Sequence, residues 1–153
     1  MNAPELPSPP YRIAVYVFCA GVLGAQLYGV LNAYHDPLKR FGYQPFAEST
    51  VWRAEIDTVD VHGEHATVTD GFAGYRWSDL VRERVGHPFH TQATSSGIGA
   101  SLYFLQRALD YVADHTPNDH DTQYLEARVW YRKNRQAERW VTLRSKRRLV
   151  SPP

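Results

Sequence analysis

Histidines and a run of aspartates are the residues of this chain whose chemistry first suggests a functional site. His87 and His90 stand in the motif HPFH, and His115 and His120 lie in the acidic run DHTPNDHD. Imidazole and carboxylate groups bind zinc when three or four of them converge on one point. HPFH is not a helical ligand pair because of its proline, and the acidic run is equally typical of a solvated helix end. We therefore expect no bound metal or other cofactor.

Serines and glycines cluster in the segment TSSGIGAS, which covers residues 94–101. A serine hydrolase would carry its nucleophile in a G-x-S-x-G turn, and a phosphate-binding loop would carry a lysine after its glycines. TSSGIGAS has neither pattern, so Ser95 or Ser96 is expected to open a helix. We expect no catalytic residue in this chain.

A long uncharged run begins soon after the N-terminus. From Ile13 to Tyr34 no side chain carries a charge, and nearly all are apolar, aromatic or glycine. At about 1.5 Å per residue, a helix of this length crosses a hydrocarbon core of roughly 30 Å. The run is longer than the apolar region of a cleavable signal peptide, and no clean A-x-A site follows it. The sequence therefore predicts an uncleaved transmembrane helix.

Small residues recur along one side of this predicted helix. Gly21, Ala25 and Gly29 are four positions apart, which allows another helix to approach closely. Gln26 and Asn32 add polar groups that prefer a partner helix over lipid. We expect these five residues to pack against integral membrane subunits.

Positive and negative charges are unevenly distributed along the chain. Residues 1–131 hold nine lysines and arginines against fifteen acidic residues, whereas residues 132–153 hold eight against one. The basic surface is expected at Arg144, Lys146, Arg147 and Arg148. For a membrane-anchored domain, anionic lipid headgroups or an acidic partner are closer at hand than nucleic acid. The simpler alternative is that these charges protect exposed strands against edge pairing.

The remaining sequence shows both periodicities of regular structure. Apolar and polar side chains alternate in residues 51–61 and 122–133, which predicts two long strands. Each is expected to turn back as a hairpin, through EHATVT and through RWVTLR. Between them, SDLVRERV predicts a short helix capped by Ser78, and residues 97–114 repeat apolar side chains at helical spacing. The predicted fold class is α+β, with two antiparallel hairpins flanking a helical middle in the order ββ-αα-ββ.

These patterns divide the chain into five segments. They are a flexible proline-rich tail at 1–12, the transmembrane helix at 13–34, an interfacial elbow at 35–50, the α+β surface domain at 51–148 and a tail at 149–153. The elbow is expected in the headgroup layer because it mixes prolines with aromatic side chains. The single cysteine, Cys19, falls inside the predicted helix, so one chain cannot form an internal disulfide.

The charges that flank the span bear on its orientation. Arg12 precedes it, whereas Lys39 and Arg40 follow it, and lysine and arginine favour the cytoplasmic side. Single-span anchors with a short N-terminal tail commonly leave that tail in the cytoplasm. On that ground we expect a single-pass membrane protein with its domain on the extracytoplasmic side. Lys39 and Arg40 favour the opposite orientation.

Four stretches carry a resemblance to known sequences: DPLKRFGYQPFAEST, YRWSDLV, LDYVADHTPNDHDTQYLEARVWYR and LRSKRR. Together they resemble an uncharacterised bacterial group of small single-span membrane proteins. Such proteins are often encoded beside multi-span membrane proteins of the HTTM type, which resemble vitamin-K-dependent γ-carboxylases. The resemblance covers most of the chain and implies an accessory role, and it carries no catalytic residue over to this sequence.

The sequence therefore predicts a non-enzymatic accessory or assembly subunit of a larger membrane protein complex. Its expected partners are integral membrane subunits at the span, and anionic headgroups or an acidic partner at the basic tail. The alternative function is a membrane-bound enzyme, or a ligand- or metal-binding domain, that uses His87, His90, His115 or His120.

Overall fold

The fold was obtained as a computed structural model. It describes residues 9–36, 38, 48–73, 75–85, 87–94, 97–116 and 119–148. The chain forms two compact units, Met1–Gln44 and Pro45–Pro153. The predicted N-terminal tail up to residue 8, most of the predicted elbow and the C-terminal tail lie outside the described residues.

The first unit contains one long helix, α1 (Pro9–Ala33), of 25 residues. Pro9 and Pro10 suit its first turn, where a backbone N–H would have no helical partner. The helix begins four residues before the predicted span and ends one residue before the predicted end. It is long and apolar enough to cross a membrane.

The described part of the second unit contains strands and helices interspersed along the chain. They are β1 (Thr50–Asp60), β2 (His65–Thr67), β3 (Gly71–Phe72), β4 (Tyr75–Arg76), α2 (Trp77–Val85), β5 (Gln92–Thr94), α3 (Ile98–His115), β6 (Thr122–Lys133) and β7 (Arg139–Arg144). The expected α+β class, with a long apolar helix before an antiparallel sheet, is confirmed. The structure adds the short strands β3, β4 and β5 to the elements expected from the sequence.

The two long strands form the centre of the sheet. β1 pairs with β6 in antiparallel register from Thr50 opposite Lys133 to Asp60 opposite Thr122, with an irregularity after Val59. The strand order is β2-β1-β6-β7, and β5 pairs with the start of β1. β3 and β4 form a separate two-stranded ribbon. β7 pairs with β6 and forms an edge of the described sheet.

The hydrophobic core lies between one face of this sheet and the two helices of the second unit. It contains Trp52, Ala54 and Ile56 of β1, Leu125, Ala127 and Val129 of β6, Trp77, Val81 and Val85 of α2, and Leu105, Leu109 and Val112 of α3. The alternating side chains of β1 and β6 and one stripe of α3 are thus buried together, as their periodicity predicts. The side chains between them on each strand point to the opposite face of the sheet.

The carboxylates that bind the first turns of α2 and α3 lie eight and fifty residues away from those turns in sequence. The expected cap of α2, Ser78, lies inside its first turn, and Asp70 accepts both the Ser78 amide and its hydroxyl, at 2.9 and 3.1 Å. Gly97 precedes α3 with φ of 86° and no capping side chain. The amide of Ile98 donates instead to Glu48. Ser95 and Ser96, the expected openers of α3, lie outside the described residues.

Candidate interaction surfaces

The small-residue stripe expected from the sequence lies on α1. Gly21, Ala25 and Gly29 follow each other at four-residue intervals, so they share one side of the helix. A Cβ built on Gly21 would meet no atom within 4 Å. Gln26 and Asn32 are exposed on the same helix. The structure therefore leaves open space at Gly21, where another helix could pack.

Large apolar side chains are exposed all around α1. Ala33 is its buried residue, whereas Val17, Phe18 and Leu23, which point in different directions, are each more than half exposed. Exposed apolar area of this extent is costly in water. Such a surface is compatible with surrounding lipid or with other apolar helices.

Tyrosines lie at both ends of this apolar surface. Tyr11 lies in the first turn of α1, and Tyr34 follows its last residue; both are well exposed. Tyr34 lies 23 positions after Tyr11, which corresponds to about 34 Å of helix, close to the thickness of a hydrocarbon core. Tyrosine favours the boundary between hydrocarbon and headgroups, so both ends of α1 have the side chains typical of a span.

The predicted basic surface divides into two kinds of residue. Arg144 lies 2.6 Å from Glu126, and its guanidinium lies over the ring of Tyr124. The hydrogen bond and charge of Glu126 raise the pKa of Arg144 above its usual value. Arg148 lies 3.0 Å from Asp119 and donates to the carbonyl of Thr116. Arg144 and Arg148 therefore hold the C-terminal segment to the domain.

The other two basic residues, Lys146 and Arg147, are exposed. The backbone amide of Lys146 donates to Asp110 at 2.9 Å, and Gln106 donates to the Arg144 carbonyl at 2.7 Å. These contacts tie the segment to α3. Arg144 is paired although it is exposed, so among the described contacts Lys146 and Arg147 are the cations of the predicted basic surface that form no ion pair.

The four candidate histidines do not form a described metal cluster. His87 and His90 lie close together, with ring centroids 5.6 Å apart. His115 stacks on Tyr111 at 4.1 Å, and its Nδ1 lies 2.9 Å from the Tyr111 carbonyl oxygen. Among the described residues, no group of three or more histidine, cysteine, aspartate or glutamate side chains is arranged to hold a metal ion.

Trp130 and Trp140, the tryptophans beside the basic stretch of the sequence, lie on the sheet face opposite the core together with Arg53, which the sequence did not indicate. In the sheet register, Trp130 of β6 stands between Arg53 of β1 and Trp140 of β7. The Arg53 guanidinium lies 5.8 Å from the Trp130 ring centroid, and the Trp130 indole donates to Glu138 at 3.1 Å. Trp140 is 56% exposed. The alternation of apolar and polar residues within β6 and β7 indicates which side chains share this face. The register between the strands is what brings Arg53, Trp130 and Trp140 together.

Paired charges continue along the same face. Arg128 lies 3.6 Å from Glu55 and 3.4 Å from the buried carboxylate of Asp57. His65 of β2 lies 3.8 Å from Asp57. A shallow depression lies beside this network, lined by Glu55, Arg128, Trp140, Val141 and Thr142. This part of the face is balanced in charge, in contrast to the end that carries Arg53 and Trp130.

Glu48 forms a buried cluster where β1 begins. Its carboxylate accepts hydrogen bonds from the Ile98 amide at 2.7 Å and from the Thr50 hydroxyl at 2.9 Å, and Lys133 lies 2.5 Å away. Burial alone would raise the pKa of Glu48, but the hydrogen bonds from Lys133, Ile98 and Thr50 outweigh it and lower the pKa to about 2. This carboxylate joins β1, β6 and α3, which is a structural role.

Comparisons with known proteins do not assign these surfaces. No family model matches the chain, and no curated protein or solved structure matches it. Among the described residues, the surfaces open to a partner are the exposed helix of the first unit and the sheet face opposite the core of the second.

Proposed function

We propose that this chain is a non-enzymatic accessory or assembly subunit of a larger membrane protein complex. In this proposal α1 is its single membrane span, and the second unit is an α+β domain at the membrane surface. The observation that carries the proposal is the exposure of large apolar side chains on all sides of α1. A helix of this kind is stable when lipid or other helices surround it.

The small-residue stripe supports a partner within the membrane. Leucine and lipid tails are equally apolar, so helices in a bilayer associate through close packing and interhelical hydrogen bonds. Gly21, Ala25 and Gly29 permit a close approach, and Gln26 and Asn32 can hydrogen bond across it. Integral membrane subunits are therefore the proposed partners of α1.

The described charges of the second unit support a structural rather than a catalytic use of that unit. Glu48 holds the start of α3, Asp70 holds the start of α2, and Asp57 pairs with Arg128. Lys146 and Arg147 are the proposed contacts for anionic headgroups or an acidic partner. We further propose that the domain lies on the extracytoplasmic side, and that the resemblance to small single-span accessory proteins reflects a shared role.

Affinity purification of the full chain from its native membranes tests this proposal. The tagged protein is extracted in a gentle detergent, and co-purifying proteins are identified by mass spectrometry. We expect one or more multi-span membrane proteins in fixed proportion to the bait. Recovery of the chain without any membrane protein partner would contradict the proposal.

A pair of bulky substitutions tests the stripe itself. Gly21→Leu with Gly29→Leu should separate the packed helices while preserving insertion, since leucine favours the bilayer core. Interhelical hydrogen bonds are worth only about 1 kcal/mol each, so Gln26 and Asn32 should not rescue the contact. A loss of about 1.4 kcal/mol weakens an equilibrium tenfold, and we expect partner recovery to fall at least that far.

The matched control places leucine away from the stripe. Ala20 and Gly24 both lie about 100° or more around the helix from Ala25 and from Gln26. Ala20→Leu with Gly24→Leu should therefore retain the partners at the wild-type level. If the stripe variant also retains them, docking depends on the surface domain and the stripe has no role in it.

A further inference from the structure

An aromatic and basic cluster lies at one end of the sheet face opposite the core and on the turn that follows β6. We call it the aromatic–basic patch, and it consists of Arg53, Trp130, Arg132, Arg135 and Trp140. Its members come from the start of β1, the end of β6, the following turn and the start of β7. Sequence order separates Arg53 from the others by more than seventy residues, and the pairing of β1 with β6 brings it opposite Trp130.

The charge of this patch is predominantly positive. Arg132 and Arg135 are exposed, and Arg53 is exposed with an ion pair to Glu55 at 3.8 Å, which is weak in solvent. Glu138 is the one acidic residue of the segment 130–140, and its carboxylate accepts a hydrogen bond from the Trp130 indole N–H. Lys133 is not counted here because it pairs with the buried Glu48. The patch therefore presents three arginines around two tryptophans.

The chemistry of the patch matches the headgroup layer of a bilayer. The indole ring is both apolar and polar, and tryptophan is enriched where hydrocarbon meets headgroups. Arginine near an anionic bilayer is attracted to lipid phosphates, and each such residue contributes about a fivefold change in the binding equilibrium. β1, which bears Arg53, is also the first described element of the domain after α1 in the sequence.

We propose that the aromatic–basic patch docks on the anionic headgroup layer of the membrane that α1 spans. This inference rests on the proposed membrane anchoring and adds a second, reversible contact between the domain and the lipid. Trp140 enters the interfacial layer, and Arg132 and Arg135 contact lipid phosphates.

The arrangement of the two tryptophans favours lipid over nucleic acid. Single-stranded nucleic acid is bound by stacking successive bases on open aromatic faces. The Arg53 guanidinium lies over one face of the Trp130 ring, and the indole N–H of Trp130 already donates a hydrogen bond to Glu138. Trp140 is therefore the open ring of the patch, and a single exposed indole among arginines suits an interface better than a row of stacked bases.

Tryptophan fluorescence provides a direct test, since all four tryptophans lie in the second unit. The full chain is reconstituted in vesicles of phosphatidylcholine alone or mixed with phosphatidylglycerol, each containing lipid brominated near the headgroup. Trp52 and Trp77 are 3% and 1% exposed and should not be quenched. The signal of Trp140 is the difference between the wild type and Trp140→Phe. We expect it to be quenched in the anionic vesicles only, and less so as salt is added.

Two charge variants locate the contact. Arg132→Gln with Arg135→Asn removes two charges from the patch and should shift the docking equilibrium about 25-fold toward the undocked state. Asparagine is chosen at position 135 because it tolerates the positive φ of 59° found there. Arg76→Gln with Arg107→Gln removes the same charge from exposed positions on β4 and α3, away from the patch, and should leave quenching unchanged.

The outcomes separate this inference from the anchoring itself. Resistance of the same samples to alkaline carbonate reports whether α1 is inserted. Inserted protein whose Trp140 is not quenched, or is quenched equally without anionic lipid, overturns the inference and leaves anchoring intact. Loss of quenching in the control variant, or quenching by a single-stranded oligonucleotide in place of lipid, also overturns it. Protein that is extracted by carbonate contradicts the anchoring, and the inference falls with it.

Discussion

At the scale of single residues, Glu48 shows how one carboxylate couples the stability of the second unit to pH. Its pKa lies at about 2 in the fold, below the ordinary value of 4.5, because its hydrogen bonds outweigh the effect of burial. A lowered pKa means that the ionised form stabilises the fold. That contribution is complete above about 4.5 and is lost progressively as the pH falls toward 2.

Glu48→Gln should reveal this contribution. The glutamine side chain can still accept a hydrogen bond from the Ile98 amide, but the substitution removes the negative charge that faces Lys133. Because Lys133 is 42% exposed and partly screened by solvent, we expect a loss of about 2 kcal/mol at neutral pH. The melting temperature should fall by roughly 10 °C, as followed by the fluorescence of the buried tryptophans in mild detergent.

The pH profile of the same variant provides the decisive comparison. Stability of the wild type should decline in acid over the range given above, and the decline should be shallower in Glu48→Gln. Glu64→Gln is the control because Glu64 is exposed in the β1–β2 turn. Equal acid sensitivity of Glu48→Gln and the wild type would contradict this role for Glu48.

The same residue shows a limit of prediction from sequence. The start of α3 was expected near residue 97, and it begins at Ile98. Its expected opener was a nearby serine, since helix caps are normally local. The observed acceptor, Glu48, is fifty residues away. Only the assembled fold brings that carboxylate to the helix, so local sequence rules cannot identify it.

At the scale of elements, the sequence revealed strands that show a clear period of two or that turn back on such a strand, as the three-residue β2 does. β1 and β6 span 11 and 12 residues and show a clear period of two. β3, β4 and β5 span two or three residues, which is too short for any periodicity. The pairing of β1 with β6 was also not predictable, because it joins segments separated by both helices. The aromatic–basic patch depends on that pairing, because the sequence indicated the basic stretch and its two tryptophans but not the contribution of Arg53.

The turn between β1 and β2 depends on one glycine and one aspartate. The carboxylate of Asp60 accepts hydrogen bonds from the backbone amides of His62 and Glu64, each at 2.8 Å. These hydrogen bonds lower the pKa of Asp60, and the one from Glu64 has the largest effect. Gly63 has φ of 82°, in the region that side chains with a Cβ disfavour.

Gly63→Ala should therefore destabilise the second unit by about 1 kcal/mol, although a Cβ at this position has open space. Gly71→Ala is the matched control, since a Cβ there also meets nothing within 4 Å and no positive φ is involved. We expect the control to change stability by less than about 0.5 kcal/mol in thermal unfolding. Equal effects of the two substitutions would show that backbone conformation does not explain the glycine at position 63.

At the scale of the whole molecule, the two units are suited to different surroundings. α1 exposes apolar side chains and presents no charge after Arg12, whereas the second unit encloses an apolar core and exposes many charged side chains. The helix could be predicted from sequence because length and composition are local properties. The basic surface could be predicted only in part, since Arg144 and Arg148 are paired with Glu126 and Asp119, which lie far away in sequence.

The central claim is that α1 is retained and anchors the protein in a membrane. Alkaline carbonate extraction of native membranes, followed by N-terminal sequencing and intact mass measurement of the pelleted protein, tests it most directly. We expect the protein to stay in the membrane pellet and its mature chain still to contain residues 13–34. A soluble protein whose N-terminus lies after Tyr34 would contradict it, because α1 would then be a cleaved signal sequence rather than an anchor.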